Sequence, residues 1–179
     1  MYCTKSRSPP QVVVNTPCLS GMGVVDLMHS IILKTIAMAE ISTYLTFGDN
    51  CEEAFNFYKS VFGGEFQTIM RFGDSPAEYQ GAPSEKKKIM HVALPIGEKT
   101  ILLGSDTPDS MGAVNKGNNV SIAIHPNSKE EAEKLCNGPS AGGQVTMPLG
   151  ETFWGAYFGM FTDKFGIYWM VNYDKGHQR

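Results

Sequence analysis

The spacing of apolar positions along this chain switches from strand-like to helical and back, and it does so twice in the same order. Ser42-Thr43-Tyr44-Leu45-Thr46-Phe47 is rich in β-branched and aromatic residues, which predicts a strand. Ala54, Phe55, Tyr58, Val61 and Phe62 then recur at helical spacing and give one apolar face. Asn50, with Glu53 three residues on, reads as a capping-box-like start, and Gly63-Gly64 as the stop. A second strand is expected over 65–72 and a loop over 74–85. A hairpin follows, with arms over 89–94 and 99–103 around Pro95-Ile96-Gly97.

The plan then repeats. A strand is expected over 120–124 and a helix over 129–136, opened by Ser128. Strands near 144–147, 155–161 and 167–171 complete it, the last two joined by the turn Asp163-Lys164-Phe165-Gly166. The helix starts Asn50 and Ser128 lie 78 residues apart, and the glycine pairs that open at Gly63 and Gly142 lie 79 apart. Gly-Gly-Glu-Phe in the first copy is matched by Gly-Gly-Gln-Val in the second. The near-constant offset points to a duplicated strand-helix-three-strand unit, which builds a cupped sheet able to hold a small molecule. Module one is expected over about 41–106, a linker over about 107–118, and module two over about 119–173. Residues 1–37 contain Pro9-Pro10 and Pro17 and sustain no period, so they read as a poorly ordered N-terminal extension to a domain over 38–179. Met38 stands as an alternative start.

Composition narrows the function classes. Hydrophobic residues are 42% and charged residues 18% of the chain, as in ordinary globular proteins. A net charge of −3 leaves no electrostatic footprint for nucleic acid. Lys86-Lys87-Lys88 reads as the solvated end of a loop. No run approaches the ~20 apolar residues of a membrane-spanning helix, and Asp26, His29 and Lys34 interrupt any secretory core. Cys3, Cys18, Cys51 and Cys136 are too scattered for a disulfide framework or a thiolate zinc site, so a reducing cytoplasm is the expected location.

Tyr44-Leu45-Thr46-Phe47 followed by the run from Ala54 to Gly64 resembles the opening of PhnB-like proteins of the vicinal oxygen chelate superfamily, which includes glyoxalase I, bleomycin-resistance proteins and extradiol dioxygenases. Met90-His91-Val92-Ala93-Leu94 is similar to that family's third strand, and Phe153-Trp154-Gly155 with Asp163 through Trp169 to its closing hairpin. The resemblance covers roughly 41–173. It implies an α+β fold of paired βαβββ modules, a curved, mostly antiparallel eight-stranded sheet around a cavity, and a homodimer. In metal-using members, His, Gln or Glu on the first and last strands of each module hold a divalent ion with a position open for vicinal substrate oxygens. Here the corresponding places fall at Thr43, Ser121 and near Met170, and the first module's last strand offers no His or carboxylate before Asp106. No cofactor is therefore expected, although a rearranged divalent metal site stays possible.

The chemistry-bearing residues are few. His91, mid-strand, is the leading acid–base or anion-binding candidate, against the alternative of a hydrogen-bonded core histidine. Glu151 is a candidate general base, or a group orienting His91. Trp154, Tyr157 and Tyr168, with His125 at a strand end and Arg71, are the substrate-binding candidates. Aromatic stripes are also ordinary core. Cys51 sits in a first helical turn, where the dipole favours a lowered thiol pKa. The sequence thus supports a small-molecule binding or sequestering protein without the metal. The alternative is a lyase-, isomerase- or dioxygenase-like enzyme on a small oxygenated substrate, and a third reading is an interaction module.

Overall fold

Alternation of exposed and buried residues sets the first strand. In β1, Thr43–Phe47, Leu45 and Phe47 are buried while Tyr44 and Thr46 are exposed. The computed structural model describes residues 41–97 and 99–174. The expected extension over 1–37, the alternative start Met38, Cys3, Cys18, His29 and His177 lie outside these residues. Helix α1, Cys51–Phe62, buries Cys51, Ala54, Phe55 and Tyr58, one stripe along its length. Strands β2 (Thr68–Arg71), β3 (Ile89–Ile96) and β4 (Thr100–Asp106) finish the first module. The second contains β5 (Ile122–Ile124), α2 (Lys129–Ser140), β6 (Gln144–Glu151), β7 (Ala156–Thr162) and β8 (Tyr168–Asp174).

The eight strands form two four-stranded mixed sheets, one per βαβββ module, ordered β1-β4-β3-β2 and β5-β8-β7-β6. In each, the strand before the helix pairs in parallel with the module's last strand, and the remaining ladders are antiparallel. The helices cover one face of the sheets. Phe47, Phe55 and Tyr58 of module one share a single core with Phe161, Phe165, Trp169 and Ala132 of module two. Each buried aromatic of this set contributes about 1.5–3 kcal/mol relative to an exposed one. Gly104 is required by this packing, because a Cβ there would run into the Phe55 ring. Gly64 takes φ +85° with its α-carbon against β3, where a Cβ would lie 2.7 Å from the Pro95 carbonyl.

Several local expectations are corrected. Asn50 makes no side-chain capping bond. The first amide of α1 is satisfied from across the module instead: Cys51 N–H donates to Asp106 Oδ1 at 2.9 Å, and Ile89 N–H donates to Asp106 Oδ2 at 2.8 Å. Ser128 does cap α2, accepting from Glu131 N–H at 3.1 Å. That helix continues past Asn137-Gly138 to Ser140 with Pro139 buried, and β2 is only four residues long. Lys88 is not a free loop end, since its Nζ donates to Asp109 Oδ1 at 2.6 Å and to the Thr107 carbonyl.

Candidate functional site on the open sheet face

Strand parity divides the chemistry of the chain into two faces. On the face away from the helices, register aligns Thr46, Ser105, His91 and Met70 in one row, and Tyr44, Leu103, Ala93 and Thr68 in the next. The His91 ring stacks on Tyr44, with centroids 6.1 Å apart and planes 29° apart. No hydrogen bond joins the His91 side chain to another described residue. From the second sheet, Tyr168 lies on the face opposite the buried Trp169 and Val171.

The two open faces meet where the edge strands β1 and β5 approach. A cavity of about 320 Å³ lies there, lined by Tyr44, Thr46, Tyr168, Ile122, and by Asn115 and Lys116 of the linker. That volume is at the lower end for small-molecule pockets. Lys116 Nζ donates to the Phe165 carbonyl at 2.9 Å, which holds the ammonium beside this cavity. A second cavity, about 460 Å³, lies behind the same seam on the helix side, with His125 in its lining.

The remaining predicted site residues are not brought together. Glu151 lies opposite Tyr157, on the helix side of its sheet, and is ion-paired with Lys129. It neither faces His91 nor orients it. Tyr157 packs under the Lys129 ammonium at 4.8 Å, and its hydroxyl lies 3.4 Å from Glu133. Arg71 also faces the helix side and grips Glu52 of α1 through two hydrogen bonds of 2.6 and 2.8 Å. That grip holds the Glu52 carboxyl below its ordinary pKa. Trp154 sits half-exposed in the β6–β7 turn against Phe153 and Phe158, and does not line either seam cavity. Cys51 is fully buried, and burial, reinforced by Asp106 and Glu52, pushes its thiol pKa up, the reverse of the expected activation. Sequence reading missed Tyr44, Thr46 and Lys116. The alternation in β1 contained the signal for the first two; nothing in the linker's turn-rich composition marked Lys116.

Thr43, the place expected for a first-strand metal ligand, shares the helix-side face with Leu45 and Phe47. Ser121 and Ala123 lie on the open face, so the two expected positions are not equivalent. Divalent ions of the zinc or manganese type take several imidazole or carboxylate donors converging on one point. Among the described residues no three His, Cys, Asp or Glu side chains are so placed. The open-face positions of the relevant strands hold Tyr44, Thr46, Ile101, Leu103, Ser105, Ala123, Tyr168, Met170 and Asn172, with Asp174 the one carboxylate, at the end of β8, a set that does not fit such an ion. No described helix is long and apolar enough to cross a membrane.

Comparison with known proteins agrees with this architecture. The model of the Glyoxalase/Bleomycin resistance protein/Dioxygenase superfamily matches residues 40–171. Protein PA1353 from Pseudomonas aeruginosa is 44% identical, with a TM-score of 0.69 covering 76% of this chain and 98% of that one. The PhnB protein from Bacillus cereus, a putative 3-demethylubiquinone-9 3-methyltransferase, is 24% identical with a TM-score of 0.60, covering 75% of this chain and 99% of that one. Protein YjdN of Escherichia coli is 28% identical over 140 residues, 74% of this chain and 93% of that protein.

Proposed function

The chain belongs to the Glyoxalase/Bleomycin resistance protein/Dioxygenase superfamily, and from that premise we propose that it binds a small oxygenated molecule on its open sheet face, as a homodimer and without a resident divalent ion. The observation that carries this reading is the Tyr44–His91 stack beside the 320 Å³ cavity. An aromatic face, the Thr46 and Ser105 hydroxyls, the Tyr168 ring and the Lys116 ammonium suit a planar molecule bearing oxygen substituents. The donor set described above favours binding without a metal.

Catechol, a planar ring with two adjacent oxygens, is a suitable probe. Titration followed by the His91 imidazole resonances is expected to saturate, with affinity about tenfold weaker in Tyr44→Ala. An aromatic pair contributes about 0.5–1.5 kcal/mol beyond the area it buries, and 1.4 kcal/mol is a factor of ten. Catechol that leaves those resonances unmoved would sink the proposal. Elemental analysis of the purified protein tests the metal half: a stoichiometric divalent ion, lost in His91→Ala, would overturn it. A monomer in light scattering would remove the dimer.

An enzyme acting on the same class of molecule is the second reading. It is favoured by one feature, the His91 imidazole at the open face with no hydrogen bond to another described residue, as a general base needs. Under that reading His91→Gln abolishes turnover while catechol still binds.

A further inference from the structure

The cavity behind the seam differs in chemistry from the one in front. Thr43 and Ile122 line both, so the two lie back to back across the β1/β5 gap. The rear cavity is the larger, about 460 Å³, well inside the ~300–1,000 Å³ range of small-molecule pockets. Its walls come from both modules and both helices: Phe62 of α1, Leu102 of β4, Ile122 and Ile124 of β5, Leu135 of α2 and Trp169 of β8. Polar groups form a substantial minority of its surface, with the side chains of Thr43, Thr100, His125, Asn127 and Glu131 among them. Among the described residues no lysine or arginine lines it. Glu131 is turned to its own helix start, with Oε2 accepting from Asn127 N–H at 2.7 Å and from Asn127 Nδ2 at 3.3 Å.

This lining selects a ligand class. A carboxylate or phosphate would meet the Glu131 carboxylate with only an imidazole to offset it. The apolar walls repay burial of hydrocarbon at about 25 cal/mol per Å². His125 and Asn127, both exposed at one end of the cavity, offer hydrogen bonds to a single oxygen. Trp169 is itself fixed, with its indole N–H donating to Asp163 Oδ2 at 2.9 Å and its ring against Phe62, Phe161 and Tyr58. The wall is therefore pre-formed, and little ordering opposes binding.

The geometry points to a second binding site, on the helix side of the seam, for a compact uncharged molecule with an aliphatic body and one hydroxyl or carbonyl. It goes beyond the open-face reading and stands independently of it. Menthol is the probe. The chain has two tryptophans, so Trp154→Phe, a change outside both cavities, leaves Trp169 as the sole reporter. In that background menthol is expected to change Trp169 emission saturably. Leu135→Phe, which fills the cavity, should weaken the response at least tenfold, and Tyr44→Ala should leave it in place. Intermolecular nuclear Overhauser contacts from menthol to the Leu135 and Ile122 methyls of the unaltered chain give the same answer if Leu135→Phe fails to fold. The site is overturned if Trp169 emission does not saturate and those contacts are absent, or if Tyr44→Ala abolishes the response. Catechol binding lost with Tyr44→Ala but kept with Leu135→Phe reads the front site alone, so either site fails without the other.

Discussion

Cys51 shows how a residue's neighbours reverse what its position suggests. At the first turn of a helix a thiol is expected to ionise readily. Here it is fully buried beside the Asp106 carboxylate, and the neutral form wins. Tyr58 is also pushed up, first by burial and then by Asp163, to which its hydroxyl donates at 2.7 Å. Both groups have folded pKa values above their unfolded ones. Their contribution to stability is present below the unfolded thiol pKa of about 8.5 and is lost as pH rises above it. Urea midpoints are expected to hold steady from pH 6 to 8 and fall from pH 9 to 10.5, with a shallower fall in Cys51→Ala. A midpoint that rises over the alkaline range would contradict the assignment. Residue-resolved alkylation at pH 8.5 should likewise leave Cys51 unmodified in the native protein.

Between the elements, the two helices start by different means although their sequences look alike. Ser128 caps α2 locally, whereas α1 relies on Asp106, which lies 55 residues away and also anchors the start of β3. Ser128→Ala is therefore expected to cost about 1 kcal/mol. Asp106→Ala removes the acceptor of two buried amides and is expected to cost about 2–5 kcal/mol. Denaturant midpoints in the two variants check the order, and equal losses would mean that Asp106 is not the cap of α1. Nothing local to Asn50 marks this, so it was not legible. The helices, the repeat and most strands were, because their periods are local. The pairing of Thr43 with Ser121 as equivalent places fails for a specific reason. Thr43 and Ser121 are 78 apart, as the helix starts are, but the core-facing Leu45 and Ile124 are 79 apart, as the glycine pairs are. A slip of one residue turns every side chain of a strand to the other face. The helix-side facing of Glu151 and Arg71 is hidden from simple alternation for a related reason: register shifts interrupt β6 twice and fall between Met70 and Arg71 in β2.

For the molecule as a whole, the question is whether two modules with separate sheets behave as one. No ladder joins β1 to β5 among the described residues, so cohesion rests on side chains. Asp163, in the last hairpin of module two, is buried at 3% exposure and fully engaged. It accepts from Phe165 and Ile167 N–H within its own turn, from Trp169 Nε1, and from the Tyr58 hydroxyl of module one. Phe165 then packs edge-on to Phe47 and Tyr58. A carboxylate holding four donors ties the turn to the opposite helix more tightly than neutral hydrogen bonds would. Tyr58→Phe is expected to cost about 1.5–3 kcal/mol, the contribution of one hydrogen bond to a charged group. Asp163→Asn should cost more, because the amide turns a donor toward groups that themselves donate. Each variant is expected to lower the stability of both modules by the same amount. Tryptophan emission, from Trp154 and Trp169, reports module two and protection of Cys51 from alkylation reports module one, so the two probes can be read through one urea titration. Coincident transitions, displaced together in both variants, are the expected result. Transitions that separate, with Cys51 protection unmoved by Asp163→Asn, would mean that the modules are stable independently and that the shared core does not couple them.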